Sequence, residues 1–288
     1  MNSQTSRIVY VNGEYLPEEQ AKISVFDRGF LMADAVYEVT SVLDGRLADY
    51  PGHVARLHRS LNELKMASPV SDDELLAIHR EMVRRNDLTE GLVYLQITRG
   101  IADRDFVWPK DAIPSIVLFT QAKALEDAEA PKRGIKVASV PDLRWGRRDI
   151  KTVQLLYPSF AKMEAKAKGA DDAWLVMDGL VTEGTSNNAY IVTRDGTIVT
   201  RSLSNDILHG ITRASVLKLA AEAQMKIDER PFTIAEAQNA AEAFITAAST
   251  FVCPVVEIDG RQIGDGRPGP VARRLREIYL ANARATAV

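Results

Sequence analysis

Residues 179–190 read GLVTEGTSNNAY, a glutamate set among apolar and small neutral side chains. Leu180 and Val181 lead into Glu183, and Ala189, Tyr190 and Ile191 follow, so both flanks are expected to be strands entering a core. An ionised carboxylate in such a place is costly unless something pairs with it. No lysine or arginine lies near Glu183 in the chain. Its cation has to be sought elsewhere.

Outward from this stretch, LVTEGTSNNAYIVTRDGTIVT (180–200) is β-rich with a turn at Asp195-Gly196. Upstream, IKVASV (135–140) and DDAWLVMDG (171–179) read as strands, with PSFAKMEAKAKG (158–169) a helix ended by Gly169. Downstream, ITRASVLKLAAEAQM (211–225) reads as an amphipathic helix and AEAFITAASTFVCPVVEIDG (241–260) as mostly strand. A closing helix starts near Pro270. In the first half, RIVYVNGEYLP (7–17) is a hairpin turning at Asn12-Gly13. Val54, Leu57, Leu61 and Leu64 recur at helical spacing, with a basic opposite face. Ser71 and Glu74 have capping-box spacing at the head of a second helix. LVYLQITRG (92–100) and SIVLFTQA (115–122) complete this half as strands. No glycine-rich phosphate loop interrupts it, so the pattern is α+β, not Rossmann-like. Residues 124–134, ALEDAEAPKRG, hold one large apolar side chain, Leu125, and read as a linker between domains at 1–123 and 135–288.

The 288 residues are 46% hydrophobic and carry a net charge of −3, which suits a globular protein and argues against a nucleic-acid or membrane surface. Cys253 is the only cysteine, and the four histidines lack metal-ligand spacing, so disulfide scaffolds and metal enzymes are not expected. The start, MNSQTSRIVY, has no apolar signal-peptide core, and a cytoplasmic location is the default expectation.

No nucleophile elbow and no Cys-His pair is present, which leaves lysine chemistry. Lys151 in RRDIKTVQLL (147–156) has apolar neighbours and follows Arg147 and Arg148. Both features favour the neutral amine that a Schiff-base lysine needs, although many such lysines merely snorkel from a strand end. If Lys151 holds pyridoxal phosphate, Glu183 acquires a partner in the protonated pyridine ring; alone it also reads as a turn residue paired with a surface lysine. Gly210 and Thr212 in LHGITRASV (208–216) mark a helix start able to bind an anion, or simply a glycine turn with Thr212 as N-cap. Arg56 in HVARLHR (53–59) is a second phosphate candidate, or a solvated helix-face charge.

FDRGFLMADAVYEV, HVARL, DIKTVQLL, VTEGTSNN and HGITR occur in one order between residues 26 and 213. Together they resemble the fold-type IV pyridoxal-phosphate enzymes, over roughly Val9 to Tyr279 of this chain. The nearest likeness is to the D-amino acid aminotransferases, down to EIDGRQIGDGRPG (257–269). The resemblance implies a two-domain α+β fold whose C-terminal domain carries the cofactor lysine, and a homodimer with shared active sites. It implies that Lys151 forms the Schiff base and carries the proton, and that Glu183 faces the pyridine nitrogen. Arg56, Gly210, Ile211 and Thr212 would hold the phosphate, Ser186 and Asn188 would lie behind the ring, and Leu208 would pack on it. One departure is Ala248, where the family usually has a phosphate-binding threonine; Thr246, Ser249 and Thr250 are the hydroxyls left to replace it.

For the substrate, the resemblance matches Tyr37 and Arg104 to carboxylate-binding positions and puts Phe106 where a histidine is usual. Loss of that donor weakens carboxylate binding by roughly 1.5–3 kcal/mol, while an aromatic ring offers apolar substituents a surface. The alternative for Phe106 is a loop aromatic packed on its own domain. Met32 and Ala33 add apolar bulk near the same pocket. The expected activity is transfer of an amino group from a D-amino acid to a 2-oxo acid such as pyruvate or 2-oxoglutarate. An (R)-amine transaminase, a branched-chain aminotransferase and an aminodeoxychorismate lyase are the alternatives, in that order.

Overall fold

The computed structural model of the protein describes residues 6–288, so the reading of MNSQTSRIVY lies partly outside the described residues. The chain forms two compact units. One takes the residues up to Ala124 together with Ile150–Gln154 and Thr286–Val288; the other takes Leu125–Asp149 and Leu155–Ala285.

The first unit opens with β1 (Ile8–Val11) and β2 (Glu14–Pro17), joined by a two-residue turn. Asn12 and Gly13 take φ of 48° and 103°, the left-handed geometry that makes Asn-Gly the preferred pair there. A short helix α1 (Arg28–Met32) leads into β3 (Ala35–Leu43) and β4 (Arg46–Leu47). Helices α2 (Tyr50–Glu63) and α3 (Asp72–Arg85) follow, then β5 (Gly91–Thr98) and β6 (Ser115–Ala122). The Ser71 hydroxyl accepts from Glu74 N–H at 3.3 Å and caps α3. The strands form one antiparallel sheet, β2-β1-β6-β5-β3-β4. Leu57 and Leu61 of α2 and Leu75, Ile78 and Met82 of α3 join Val36, Val93, Ile97 and Leu118 in its core.

Two sequence expectations about the domains change here. Residues 150–154 do not stay with the second half: Ile150 enters the first unit's core, Thr152 bridges Val36, and Val153 N–H donates to Ala35 O at 3.2 Å. At the other end of the chain, Leu47 and Val288 exchange backbone hydrogen bonds of 2.8 and 3.1 Å. Residues 125–134 are not a linker either. Leu125 is fully buried, its carbonyl and that of Glu126 accept from Arg276 Nη2 at 2.7 and 2.9 Å, and Glu129–Arg133 form helix α4. An arginine far downstream supplies what a local pattern of apolar residues does not.

The second unit continues with β7 (Ile135–Pro141), α5 (Leu156–Ala167), β8 (Asp172–Met177), β9 (Leu180–Gly184), β10 (Asn188–Val192) and β11 (Ile198–Thr200). Helix α6 (Ile211–Glu222), β12 (Ile227–Glu229), α7 (Ile234–Gln238), β13 (Glu242–Ala247), β14 (Phe251–Ile258), β15 (Arg261–Gln262) and α8 (Pro270–Thr286) complete it. The strand order is β12-β11-β10-β13-β14-β7-β8-β9, with β15 beside β14. Five strand spacings separate β9 from β10 in that order, about 24 Å in a flat sheet. Residues 185–187 are all that join them, a reach of about 14 Å at most. The sheet therefore curls until the end of β9 meets the start of β10, and Glu183 and Asn188 sit at that seam. Helix α6 is less cleanly amphipathic than its sequence suggests, because Arg213 lies on its buried side, paired with Glu229 at 2.5 Å.

Buried Glu242 caps α8, accepting from Val271 N–H at 2.9 Å and Ala272 N–H at 3.0 Å. Glu242→Ala is expected to cost about 2 kcal/mol, read as a lower denaturant midpoint at unchanged m-value. An unchanged midpoint would show that the cap contributes nothing. Among the described residues no helix is long and apolar enough to cross a membrane.

Candidate active site

In the first unit the segment carrying Lys151 is laced to the start of β3. Tyr37 N–H donates to Lys151 O at 3.0 Å, and Lys151 N–H donates to Ser60 Oγ on α2 at 3.3 Å. This fixes the lysine backbone and leaves its side chain over Tyr37, with Nζ 4.1 Å from the ring centroid. Tyr37 stacks on Tyr94 of β5, and Tyr94 on Phe119 of β6, at 5.6 and 4.6 Å between centroids. Burial pushes the Tyr94 phenol up to about 12, which keeps it a donor to Gln96 at 2.8 Å. The sequence-predicted lysine and substrate tyrosine thus share one aromatic wall.

The next residue of β3 points the other way, as strand alternation requires. Glu38 is buried and accepts from Arg56 Nε and Nη2 at 2.8 and 2.7 Å, with His53 Nδ1 at 2.7 Å. Burial pushes the Glu38 carboxyl up, but Arg56 and His53 outweigh it and hold the carboxyl well below its ordinary range. Arg56 is therefore no solvated helix-face charge. Sequence reading overlooked Glu38 and His53, although the i, i+3 spacing of His53 and Arg56 puts both on one face of α2.

Arg104 and Phe106 lie on the exposed loop before β6. The guanidinium of Arg104 stands 5.6 Å from the Phe106 ring, and Phe106 is 79% exposed, so the ring does not pack into its own unit. Met32 is half-buried at the end of α1, where Ala33 adopts φ 54° as the helix C-cap.

In the second unit Glu183 is buried at the end of β9, and three groups meet it. Arg144 Nη1 donates to Oε1 at 2.5 Å; Asn188 Nδ2 and Leu208 N–H donate to Oε2 at 3.1 and 3.0 Å. Asn188 Nδ2 also donates to Leu208 O at 3.0 Å, tying β10 to the loop before α6. Arg144 is in turn held by Asp142, through Nε and Nη2 at 2.9 and 2.7 Å, and Asp142 accepts from the Thr182 hydroxyl at 2.7 Å. Burial pushes the Glu183 carboxyl up, with Arg144 opposing it, and the two carboxylates raise Arg144 further despite its own burial. Arg144 is the site residue that the sequence hid. Its signal is the Asp142-x-Arg144 spacing, which lets neighbouring side chains preorganise the guanidinium.

Gly210 is the N-cap of α6, so Thr212 is not, and no side chain caps the first turn. A Cβ at Gly210 would come within 2.1 Å of Asn188 Oδ1. Ile211 and Thr212 begin the helix, with Thr212 buried. Ser186 is exposed in the β9–β10 turn. Ala248 and Ser249 are half-buried between β13 and β14. Of the other two hydroxyls there, Thr246 is engaged by Tyr190 at 3.0 Å, whereas Thr250 Oγ1 is buried with no hydrogen-bond partner. The cationic neighbours of Lys151 are compensated: Arg147 pairs with Asp149 at 3.0 Å and Arg148 with Asp206 at 3.3 Å.

The sequence profile described as "Amino-transferase class IV" matches residues 35–258, and the chain belongs to this family. Its architecture is that of the two-domain α+β fold-type IV pyridoxal-phosphate enzymes. Among curated relatives it is similar to the D-alanine aminotransferase of Staphylococcus haemolyticus, 37% identical over 272 residues that span 93% of this chain and 95% of that one. Among solved structures it is similar to the T.th. branched-chain amino acid aminotransferase with pyridoxamine 5'-phosphate, at TM-score 0.89 and 29% identity over 97% of this chain and 95% of that chain. The branched-chain aminotransferase of the archaeon Thermoproteus uzoniensis, with norvaline, gives TM-score 0.87 and 25% identity over 97% of this chain and 95% of that chain.

Proposed function

We propose that this chain uses pyridoxal phosphate to transfer an amino group from a D-amino acid to a 2-oxo acid. The observation that carries the reading is the placement of Lys151 Nζ against Tyr37, in a chain 37% identical to a D-alanine aminotransferase.

The residues fit the cofactor. Glu183 Oε1 accepts from Arg144, and a carboxylate oxygen accepts about two hydrogen bonds, so a protonated ring nitrogen can be met there. The uncapped first turn of α6 offers N–H groups of Ile211 and Thr212 to a phosphate, and the absence of a side chain at Gly210 makes room for Asn188, which donates to Glu183. The unpartnered Thr250 hydroxyl is the best replacement for the threonine missing at Ala248. On the first unit Arg56, held by Glu38, is the further phosphate candidate, and Ser186 and Ser249 are further polar candidates on the second.

When bound, the cofactor supplies the electron sink for cleavage of the Cα–H bond. The chain's own residues do the rest. Lys151 Nζ takes and returns the proton at Cα, on the side its backbone anchors dictate. Glu183, which accepts from Arg144, would face the ring nitrogen and favour its protonated form. Tyr37 and Arg104 would bind the donor carboxylate, and Leu208 would pack on the ring. Phe106 favours apolar substituents, which supports (R)-amines as secondary donors. The exposed apolar side chains of the Arg104 loop suit a homodimer whose subunits share sites.

Initial rates with D-alanine, L-leucine and (R)-1-phenylethylamine, each with 2-oxoglutarate, test the reading. D-alanine is expected to be the fastest donor. Turnover of L-leucine alone would assign the chain to the branched-chain type, and pyruvate release without an acceptor would make it a lyase.

A further inference from the structure

A buried charged cluster in the first unit takes no part in holding the cofactor. Arg28 and Arg99 both donate from Nε to one oxygen, Oδ2 of Asp34, at 2.8 and 2.7 Å. Their side chains are only 3% and 7% exposed. Burying charge is costly, and this trio buries one guanidinium more than it has carboxylates. Asp27, the nearest further carboxylate in sequence, is engaged by Gly29 N–H at 2.8 Å and the Thr98 hydroxyl at 2.9 Å. The remaining donors show what the cluster holds. Arg28 Nη1 reaches the carbonyl of Asp105 at 2.6 Å. Arg99 lies 4.1 Å from the Trp108 ring centroid and donates from Nη2 to Leu64 O at 2.9 Å. Asp105 directly follows Arg104, and Asp105 and Trp108 lie on either side of Phe106 in the chain.

That loop has little apolar burial of its own, since Phe106, Val107 and Ile113 are 79%, 73% and 83% exposed. Its base is pinned by Arg28 N–H donating to Gly100 O at 2.9 Å and by Ala102 N–H donating to Phe26 O at 3.2 Å. Gly100, at φ 98°, is packed so closely that a Cβ would fall 1.9 Å from Ile113 O. We infer that Arg28, clamped by Asp34 beside Arg99, is a positioning residue for the donor carboxylate: it fixes the loop that presents Arg104 and Phe106. The inference rests on the transaminase reading in assigning Arg104 to the carboxylate.

Holoenzyme carrying Arg28→Met or Arg28→Lys tests it. Loss of Arg28 leaves Asp34 paired one-to-one with Arg99, so no carboxylate is stranded. A lysine meets Asp34 but lacks the planar fork that also reaches Asp105 O. Both variants are expected to speed hydrogen exchange in peptides covering residues 101–113 by about tenfold, with β5 unchanged. The KM for D-alanine should rise about tenfold with kcat nearly constant, because the carboxylate contact is loosened before the chemistry begins. Unchanged exchange in the loop overturns the anchoring, and faster exchange with an unchanged KM overturns the role in recognition. A fall in kcat with KM unchanged also overturns that role. Should Arg28→Met fail to fold, the lysine variant decides alone. A wild-type enzyme that turns over no D-amino acid removes the transaminase reading and the recognition role with it, while exchange still decides the anchoring.

Discussion

Lys151→Ala is expected to lower turnover by roughly 10³-fold or more, because it removes both the covalent anchor and the proton carrier, and proton transfer alone is worth about 10²–10⁴-fold. The fold should survive. The hydrogen bonds that fix this segment come from the backbone, Tyr37 N–H to Lys151 O and Lys151 N–H to Ser60 Oγ, and alanine keeps both. What disappears is the Nζ contact with the Tyr37 ring, an exchange worth about 0.5–1 kcal/mol at most in a half-exposed setting. Borohydride treatment gives the cleaner readout. In the wild-type holoenzyme it should attach the cofactor covalently to the peptide containing residue 151; in the variant, to none. Attachment at another lysine, or turnover within about tenfold of wild type, would remove Lys151 from the chemistry.

The elements legible in the sequence are those whose cause is local. Asn12-Gly13 dictates its turn because the two left-handed residues it needs are adjacent. Ser71 starts α3 because its oxygen reaches an N–H three residues on. Lys151 and Glu183 stood out because each is a charge among apolar neighbours. The features that escaped are made by tertiary pairing. Nothing around Leu125 announces that Arg276 will satisfy its carbonyl. Residues 150–154 leave the second unit because Ile150 buries itself in the first unit's core and Thr152 bridges Val36 of β3, a strand more than a hundred residues earlier. Arg56 looked solvated because its burial depends on Glu38, on another element. Arg144 is the sharpest case: it stands 39 positions from Glu183 in the chain, and the β7-β8-β9 strand order, with Arg144 just beyond the end of β7, brings them to contact. The chain near Glu183 holds no cation; the fold supplies one.

That arginine sets the second large effect. Glu183→Gln is expected to leave the cofactor bound while slowing Cα proton removal by about 10²-fold, since a neutral amide does not hold a proton on the ring. The variant should remain folded: Arg144 keeps both bonds to Asp142, and Gln retains an acceptor for Leu208 N–H. Arg144→Met is a different lesion. It strands the Glu183 carboxylate in a buried site with only Asn188 and Leu208 as donors, at a cost of about 3–5 kcal/mol, and it takes the nearest charge from Asp142 as well. Combining the two should recover part of that cost, because the amide needs no counter-charge while Asp142 still has Thr182 and Arg148. Single-turnover rates and the absorbance spectrum read the first effect, and a denaturant double-mutant cycle reads the second. Full half-reaction rates in Glu183→Gln would end the assignment of Glu183 to the ring. Strict additivity in the cycle would mean that Arg144 stabilises the fold through Asp142 alone, and that the 2.5 Å contact to Glu183 carries no energy of its own.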